Sequence, residues 1–498
     1  MWSGTRDLFY PETLEYDIRH TMNTTAAPVN DSSARSPGEA DLIRGLGPWQ
    51  ATAVVISTII GTGVFLVAGP MARVAGSIDL VFVAWLAGTV IALSGMLCFA
   101  ELGAALPHTG GLFTYLTRGL GPLWGFLFGW ADSFLMGPAA FATVAAGFME
   151  FAGFLFPGLR APWLTLHAGQ HAFTLTVAQP LAAALILSLT ALNCLSVSVG
   201  GRIQLVLGSL KVAAIILIIL AGILLARPMS GAVTPGPQPS HGGVFTAILS
   251  AIVPVMWAYN GFQYLGNLGA EIREPAKNIP RALFFGMLII CVLYISVNIV
   301  YFHVLPFGQV AKSDDVASDV VRSLLGPRSA TWLTIAMALS ALATLHAVIM
   351  EEARVPCAMA RTGLFFRWVG TVQPRVHSPI GALVFQGTLG ALIALTGSFE
   401  QLFSLYIFIA WTFLALGAFT VIRLRQTEPE LQRPYRAWGY PWTPLLFITA
   451  TLAFTLNLWF EQPVRSSLGV LVILLALPFY FYKSAPQIEP AAARRREV

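Results

Sequence analysis

The sequence predicts an all-α integral membrane protein with twelve transmembrane helices, and its composition, its apolar windows and its basic residues each support that fold class. Of its 498 residues, 56% are hydrophobic and only 11% are charged, and the mean hydropathy is +0.71. A soluble domain carries roughly a quarter charged residues. This deficit of charge excludes the enzymes of aqueous compartments, because most of the chain must face lipid or other helices within lipid.

Apolar windows of spanning length give the number of helices. A bilayer core about 30 Å thick needs about 20 apolar residues per helix. The windows that meet this length lie at 49–70, 78–100, 122–155, 176–195, 203–226, 243–270, 282–305, 329–353, 379–397, 401–423, 440–460 and 466–483. The third, sixth and eighth are long enough to tilt or to extend past the membrane surface. The polar segment 306–328 has helical composition, which predicts a short surface helix.

The Lys and Arg residues predict the orientation. With the N-terminus inside the cell, 21 of the 29 basic residues fall in cytoplasmic segments and seven in external ones, while Lys211 lies within the fifth span. This bias predicts that both termini, as tails at 1–45 and 484–498, are cytoplasmic. The protein is therefore expected in the plasma membrane, or in the inner membrane of a bacterial cell. The net charge of +5 reflects this topology and gives no nucleic-acid footprint.

No cofactor or metal site is predicted. The four cysteines lie in or near apolar spans, which argues against a disulfide framework: Cys98, Cys194, Cys291 and Cys357. The sequence contains no Cys/His cluster with metal-ligand spacing, no phosphate-binding loop and no evident Ser-His-Asp arrangement. An ATP-driven pump is not expected for the same reason, because the sequence contains no evident nucleotide-binding domain.

Two spans carry a predicted break near their middle. The first reads Ile59-Ile60-Gly61-Thr62-Gly63, and the sixth reads Trp257-Ala258-Tyr259-Asn260-Gly261. Unwound backbone in a membrane must face a polar cavity, because lipid cannot satisfy its N–H and C=O groups. Interruptions at matching positions of two halves indicate a midplane binding site. The alternative is that the glycines are contact points between closely packed helices.

The spacing of the breaks predicts two halves. The breaks recur at an interval of five spans, in the first and the sixth, so residues 46–226 and 243–424 form two units of five helices, followed by two extra helices at 438–483. A half-helix N-terminus carries partial positive charge and free N–H donors that suit a carboxylate. The free carbonyls of the opposite half-helix end suit an ammonium, so a zwitterion fits there without any charged side chain.

Five short stretches occur in order with family-like spacing. They are Ile60-Gly61-Thr62-Gly63-Val64-Phe65, Ala100-Glu101-Leu102-Gly103, Asn278-Ile279-Pro280-Arg281-Ala282, Ala358-Met359-Ala360-Arg361 and Arg433-Pro434-Tyr435-Arg436. Together they resemble the amino acid–polyamine–organocation (APC) superfamily of transporters, from about residue 45 to 480. Within it they are similar to the L-type amino acid transporter and basic amino acid/polyamine antiporter branches.

This resemblance implies a leucine-transporter-type fold, a 5+5 inverted repeat with helices 1 and 6 discontinuous. In helix 1, the resemblance places the substrate α-carboxylate at Gly61, Thr62 and Gly63. The carbonyl of Ile59 is expected to accept from the substrate α-ammonium.

In helix 6, the resemblance implies that the carbonyls of Trp257 and Asn260 also bind the α-ammonium, while Ala258 and Tyr259 line the unwound turn. Trp257 stands where the family has an aromatic gate that covers the substrate from outside. Asn260 departs from the small or apolar residue expected there, which leaves the side-chain preference open.

Lys211 is the predicted coupling residue. It lies nine positions after Arg202, roughly 13 Å along the helix, so its amine is far from the interface. Charge within a membrane is costly and usually functional. Sodium-independent members of the resembled family have a similar Lys on helix 5, in place of a sodium ion that relatives bind between helices 1, 5 and 8. The alternative is a structural Lys bonded to helix-end carbonyls.

Five further ionisable residues lie in predicted spans: Asp132, Glu150, His346, Glu351 and Glu352. Asp132 is expected near the cytoplasmic end of its span. His346 is a candidate pocket residue, with a packing role as the alternative. Either Glu351 or Glu352 is expected to pair with Lys211 or Arg354.

The predicted function is secondary active transport of amino acids by alternating access, through sodium-independent exchange or proton-linked uptake. Neutral amino acids are favoured, because no strong acidic candidate lies in helices 1, 6 or 10. The alternatives are a cationic amino acid or polyamine antiporter, a nutrient-sensing receptor on the same fold, and an intramembrane enzyme. The last would need paired Asp or clustered His.

The expected partners are an amino acid substrate and the lipid bilayer. Residues 156–175 contain no Cys, so no disulfide-linked glycoprotein is expected. The protein is expected to be a monomer or a homo-oligomer.

Overall fold

The computed structural model describes six stretches of the chain, 45–108, 110–168, 171–195, 200–226, 243–373 and 378–494. The predicted N-terminal tail therefore lies outside the described residues, apart from its last position. The polar segment 227–242 and residues 495–498 also lie outside them.

Helices dominate the described chain, and eleven of them there are long and apolar enough to cross a membrane. The helices that form or contribute to these spans are α1 (Pro48–Ile59), α2 (Gly63–Leu66), α4 (Ile78–Ala105), α6 (Pro122–Ala131), α7 (Gly137–Leu155), α8 (Ala178–Leu195), α9 (Gly200–Leu225), α10 (Gly243–Tyr259), α11 (Pro275–Val304), α14 (Pro327–Glu352), α15 (Arg354–Arg361), α17 (Phe399–Thr427), α18 (Trp442–Glu461) and α19 (Pro463–Arg494). A shorter apolar helix, α16 (Ile380–Ala394), occupies the ninth predicted span. The prediction of a helical membrane protein is confirmed, while the twelve-helix count and the inverted repeat stay predictions.

Short elements connect the spans. They are α3 (Ala68–Ala75), α5 (Gly111–Leu120), α12 (Phe307–Lys312) and α13 (Val316–Leu325), with 3-10 turns at Pro157–Arg160 and Arg367–Gly370. The segment 306–328 thus contains the helix predicted for it. The structure adds an antiparallel β-hairpin that the sequence analysis did not predict, formed by β1 (Pro162–Ala168) and β2 (His171–Thr176). These strands are rich in Thr, Leu and aromatic residues, which favour extended structure.

The two interrupted spans pack together in the interior. The α10 helix contacts α2 and α3, and the 3-10 segment Phe262–Glu271 that follows it contacts α1. The α9 and α14 helices also pack against α1. The first span is 72% buried inside the protein, whereas the last, Pro463–Tyr482, is 17% buried. The first span therefore lies in the interior of the protein and the last span at its periphery.

A buried ion-pair network connects α4 to the end of α17 and to the segment between α17 and α18. Glu101 is 2% exposed and lies 2.6 Å from Arg425 and 3.7 Å from Arg433. It also accepts a hydrogen bond from the Ala437 N–H at 2.7 Å. A buried carboxylate requires such partners, because the cost of removing its charge from water is otherwise not offset by attraction to positive groups and hydrogen-bond donors. Two of the stretches that carry the family resemblance are thereby in contact.

Candidate functional site

Helix 1 is interrupted where the sequence predicts. The α1 helix ends at Ile59, and helical structure resumes at Gly63. The Gly61 N–H donates to the Ile59 carbonyl at 2.8 Å, which closes a tight turn inside the span. Thr62, at the centre of the break, is 1% exposed, and its hydroxyl has no hydrogen-bond partner among the described residues. A buried hydroxyl without a partner is costly, so it is available to a ligand.

The Ile59 carbonyl is already engaged in this conformation. It accepts from the Tyr294 hydroxyl at 3.2 Å, in addition to the Gly61 N–H. A ligand ammonium at this carbonyl would therefore compete with Tyr294 or share the acceptor with it.

Helix 6 is interrupted at the second predicted position. The α10 helix ends at Tyr259, and a 3-10 segment begins at Phe262. Between them Gly261 has φ 130°, a conformation that residues with a Cβ rarely adopt. The Asn260 N–H donates to the Trp257 carbonyl at 3.2 Å. Glycine thus allows the chain to leave the helix at this point.

The two breaks touch through their main chains. A Cβ added to Gly63 would lie 2.8 Å from the Ala258 Cα. A Cβ added to Gly261 would lie 3.1 Å from the Thr58 carbonyl oxygen. Real Cβ atoms are hardly ever as close as 2.8 Å to another atom, and at Gly261 the contact is tight and φ is 130°, so both positions disfavour larger side chains. The predicted residues of helices 1 and 6 are therefore brought together.

The Trp257 ring packs against three aromatic rings of α17. Its ring centroid is 5.5 Å from that of Tyr406 and 6.3 Å from those of Phe399 and Phe403. It is 7% exposed. The neighbouring Tyr259 points elsewhere, because its hydroxyl bonds that of Thr89 at 2.7 Å. Only its backbone is placed at the break.

Lys211 joins three helices. It is 3% exposed, and its Nζ donates to the Ser57 carbonyl on α1 at 3.1 Å and to the Thr344 hydroxyl on α14 at 2.5 Å. Glu351 interacts with it electrostatically. A Cβ on Gly61 would lie 3.5 Å from the Thr344 methyl group, so this cation lies beside the helix-1 break.

A second buried polar cluster was not predicted. A π-helical turn at Asp132–Met136 interrupts the third span and carries Asp132 into contact with the Glu352 carboxyl. Both residues are 2% exposed. The Tyr264 hydroxyl donates to Glu352 at 2.6 Å and lies 3.1 Å from the Tyr406 hydroxyl. These four side chains line a cavity of about 20 Å³.

One of the two glutamates interacts with Lys211, in keeping with the expected pairing, and the other has different partners. Glu352 contacts Asp132 and Tyr264, whereas Arg354 pairs with Glu271 at 3.5 Å. The reason is helical geometry, because successive residues of a helix point in directions 100° apart. Glu351, one position earlier, is the glutamate that interacts with Lys211.

The remaining candidates have partners of their own. His346 Nδ1 lies 3.0 Å from the Asn193 amide nitrogen on α8, which matches the packing alternative. Glu150 pairs with Arg160 at 3.2 Å near the end of the third span. Among the residues that the structure describes, no group of three or more His, Cys, Asp or Glu side chains is placed to hold a metal ion.

Comparison with known proteins identifies the family. A family model described as Amino acid permease matches residues 46–481. The chain is 28% identical over 445 residues to the b(0,+)-type amino acid transporter 1 of Mus musculus, covering 88% of this chain and 87% of that protein.

Two bacterial relatives are similar over most of their length. The serine/threonine exchanger SteT of Bacillus subtilis (strain 168) is 28% identical over 440 residues, covering 88% of this chain and 96% of the relative. The branched-chain amino acid permease BcaP of the same organism is 29% identical over 461 residues, covering 92% and 96%. With a family model matching nearly all of its membrane region, the chain belongs to the amino acid permease family, within the APC superfamily of transporters.

Proposed function

We propose that this protein is a sodium-independent secondary transporter that carries amino acids across the plasma membrane by alternating access. The observation that carries the proposal is the pair of helix breaks, which meet main chain to main chain at Gly63 and Ala258. Backbone freed from helical bonding is tolerated inside a membrane where it lines a cavity, and it supplies both donors and acceptors to a zwitterion.

The substrate is held by backbone in this proposal. The α-carboxylate binds at Gly61, Thr62 and Gly63, where the partnerless Thr62 hydroxyl supports a ligand. The α-ammonium binds between the carbonyls of Ile59 and of helix 6 at Trp257 and Asn260. Trp257 is the gate, because its ring is already packed against the α17 aromatic residues and movement of either would open the site.

Lys211 takes the place of a sodium ion. Its ammonium satisfies oxygens of α1 and α14, which is the role of a cation at a helix junction. Both termini are cytoplasmic in this proposal, in keeping with the basic residues. Transport is by exchange or linked to protons.

Neutral amino acids are the favoured substrates. The side chain nearest the helix-6 break is the uncharged amide of Asn260, which bonds Tyr406 at 3.1 Å and Gln263 at 2.9 Å. The names of the two bacterial relatives, a serine/threonine exchanger and a branched-chain permease, also favour neutral substrates. Cationic substrates are the second candidate, because Asp132 and Glu352 lie beyond Tyr406.

The test is transport by the purified protein in liposomes. A panel of labelled neutral and cationic amino acids is offered with sodium present or absent, and with or without unlabelled amino acid inside. We expect uptake of neutral amino acids that is independent of sodium and faster with internal substrate. Binding of amino acids without any flux would instead identify a sensor and refute the proposal.

One substitution tests the contact between the breaks. Gly63→Ala places a methyl group against the Ala258 backbone, so we expect uptake to fall roughly tenfold or more, the loss that about 1.4 kcal/mol of overlap produces. Gly158→Ala is the matched control, because no atom lies within 4 Å of its added Cβ. Equal uptake by both variants would count against a site at Gly63.

A further inference from the structure

A continuous chain of polar side chains links the helix-6 break to the buried carboxyl pair, Asp132 and Glu352. The Asn260 amide donates to the Tyr406 hydroxyl at 3.1 Å, and that hydroxyl lies 3.1 Å from the one of Tyr264. Tyr264 in turn donates to Glu352 at 2.6 Å, and Glu352 contacts Asp132. Every link joins a different segment to the next, so movement of helix 6 changes what the carboxyl pair can bond.

The carboxyl pair needs a proton to exist as it is. Two carboxylates have only acceptor atoms, so they cannot bond each other unless one is protonated. Two like charges in contact in a buried site also repel strongly, which is why such pairs hold a shared proton. Asp132 Oδ2 has no hydrogen-bond partner among the described residues, so a proton held by the carboxyl pair has an open acceptor at this atom.

The size of the cavity argues for a proton and against an organic cation. Its volume of about 20 Å³ has room for one water molecule. A guanidinium or an alkylammonium group needs several times that space. A water molecule in that space would carry a proton to and from the two carboxyl groups, which both line it.

The other polar and titratable groups around the carboxyl pair have partners of their own. Tyr264 and Tyr406 are neutral hydroxyl partners on helix 6 and α17, and Gln386 on α16 donates its amide to the Asp132 carbonyl at 3.4 Å. Arg354, which follows on α15, is paired with Glu271. On α14 itself, Glu351 interacts with Lys211 and so belongs to the other cluster.

We propose that the carboxyl pair is a proton-binding site that takes up one proton from water and releases it as helix 6 changes conformation during transport. The inference rests on the proposed transport function and names its coupling ion. Only an O–H bond forms or breaks: the pair alternates between one proton and two, so its net charge changes by one. A movement of helix 6 changes the hydrogen bonds of Tyr406 and Tyr264 and, through them, those of the carboxyl pair.

Proton-driven accumulation is the decisive measurement. Liposomes containing the protein are given a pH gradient of one unit, alkaline inside, with the membrane potential held at zero. A transporter that moves one proton with each substrate accumulates that substrate up to about tenfold. We expect wild type to approach this ratio, while Asp132→Asn and Glu352→Gln fall to about onefold yet still exchange internal for external substrate.

A matched control and two outcomes complete this experiment. Glu274→Gln removes an exposed carboxyl that pairs with Lys277, and it is expected to accumulate substrate as wild type does. Accumulation that is unchanged in Asp132→Asn and Glu352→Gln overturns the inference. Selective loss of cationic substrates in these variants, with no effect of the pH gradient in wild type, overturns it in favour of a substrate-binding role.

Infrared spectroscopy tests the shared proton without any transport. The difference spectrum between wild type and the double variant Asp132→Asn/Glu352→Gln is expected to contain the carbonyl stretch of a protonated carboxylic acid at neutral pH. A spectrum without this band refutes the proton-binding site even if transport is found. Its presence supports the site even if the amino acid panel fails, so the two proposals are separable.

Discussion

Two buried polar clusters lie on neighbouring faces of α14, and they solve opposite electrostatic problems. The Lys211 cluster contains Lys211, the Ser57 carbonyl, the Thr344 hydroxyl and Glu351. The carboxyl pair uses the next residue along, Glu352, with Asp132. Thr344 and Glu351 share a face because seven residues make almost two helical turns.

The difference between the clusters is one of charge balance. Lys211 has an acidic neighbour and two neutral oxygen partners, so its charge is compensated by the protein itself. Among the described residues no base forms an ion pair with Asp132 or Glu352, and the Tyr264 hydroxyl is the donor to Glu352, so the charge of the pair is compensated by protons from water. The first cluster should therefore respond most to removal of a side chain, and the second to the pH on either side of the membrane.

The largest effect is expected from Lys211→Met, which keeps the length of the side chain and removes its charge. Ser57 and Thr344 lose their donor, and Glu351 loses its positive neighbour in a buried site. Each hydrogen bond from a charged donor contributes about 1.5–3 kcal/mol, so the loss of both should lower uptake in liposomes at least about 100-fold. Lys277→Met, at an exposed pair, is the control. If Lys211→Met shows normal sodium-independent uptake, Lys211 has a packing role and its charge is not needed for transport.

The sequence marked Lys211 as a buried cation for a physical reason, while its coupling role stays a prediction. A Lys that far inside an apolar helix needs oxygen partners, and the glycines beside Thr62 indicate where helix 1 exposes its backbone. The breaks in helices 1 and 6 were predictable in the same way, because glycine and polar residues in mid-span are local signals. The inverted repeat and the roles of the residues stay predictions.

Thr344→Val should give the next largest effect on the Lys211 side. The substitution removes the hydroxyl that lies 2.5 Å from Lys211 and keeps a methyl group near Gly61. A hydrogen bond to a charged group contributes about 1.5–3 kcal/mol, so uptake should fall about tenfold or more. Thr344→Ser, which restores the hydroxyl, should recover most of it. If the ratio of Thr344→Val uptake to wild-type uptake is the same at every pH tested, the Lys211 cluster does not take up protons.

Tyr264→Phe is the counterpart on the side of the carboxyl pair, and its effect on rate should be smaller. The ring stays, but the hydroxyl that donates to Glu352 at 2.6 Å is lost. We expect uptake to fall about two- to fivefold and its pH profile to shift, since a hydrogen bond contributes about 1 kcal/mol. The measurement is initial uptake across pH 5 to 8. A reduced rate with the wild-type pH profile would mean that Tyr264 only positions Glu352.

The carboxyl pair could not be predicted from the sequence. Asp132 and Glu352 are 220 positions apart, and nothing local to either marks the other as its neighbour. Chemistry favours pairing a buried carboxylate with a base, so Lys211 and Arg354 were the expected partners. The pair exists because a π-helical turn redirects Asp132 and because α7 packs against α14. The contact between His346 and Asn193 was unpredictable for the same reason, since it depends on the packing of α8, and the pocket role of His346 stays a prediction.

The smallest effect on transport is expected from Asp315→Asn, which separates pH effects on stability from those on transport. Asp315 caps α13 between two spans, accepting from the Ser318 N–H at 3.2 Å, and burial raises its pKa from 3.8 to about 7. Between pH 4 and 7 the folded protein therefore binds more protons than the unfolded chain, so stability falls as the pH rises through this window.

In Asp315→Asn that dependence should disappear, because the amide oxygen keeps the cap but does not titrate. We expect the midpoint of thermal unfolding to fall by about 2–5 °C between pH 5 and pH 8 in wild type, and by less in the variant. Asp79→Asn, at an exposed position, is the control and should behave as wild type. Because Asp315 lies outside the carboxyl pair, the pH profile of uptake should be unchanged in Asp315→Asn. If the pH profile of uptake shifts in Asp315→Asn, the pH dependence of transport comes from the stability of the fold and not from the carboxyl pair.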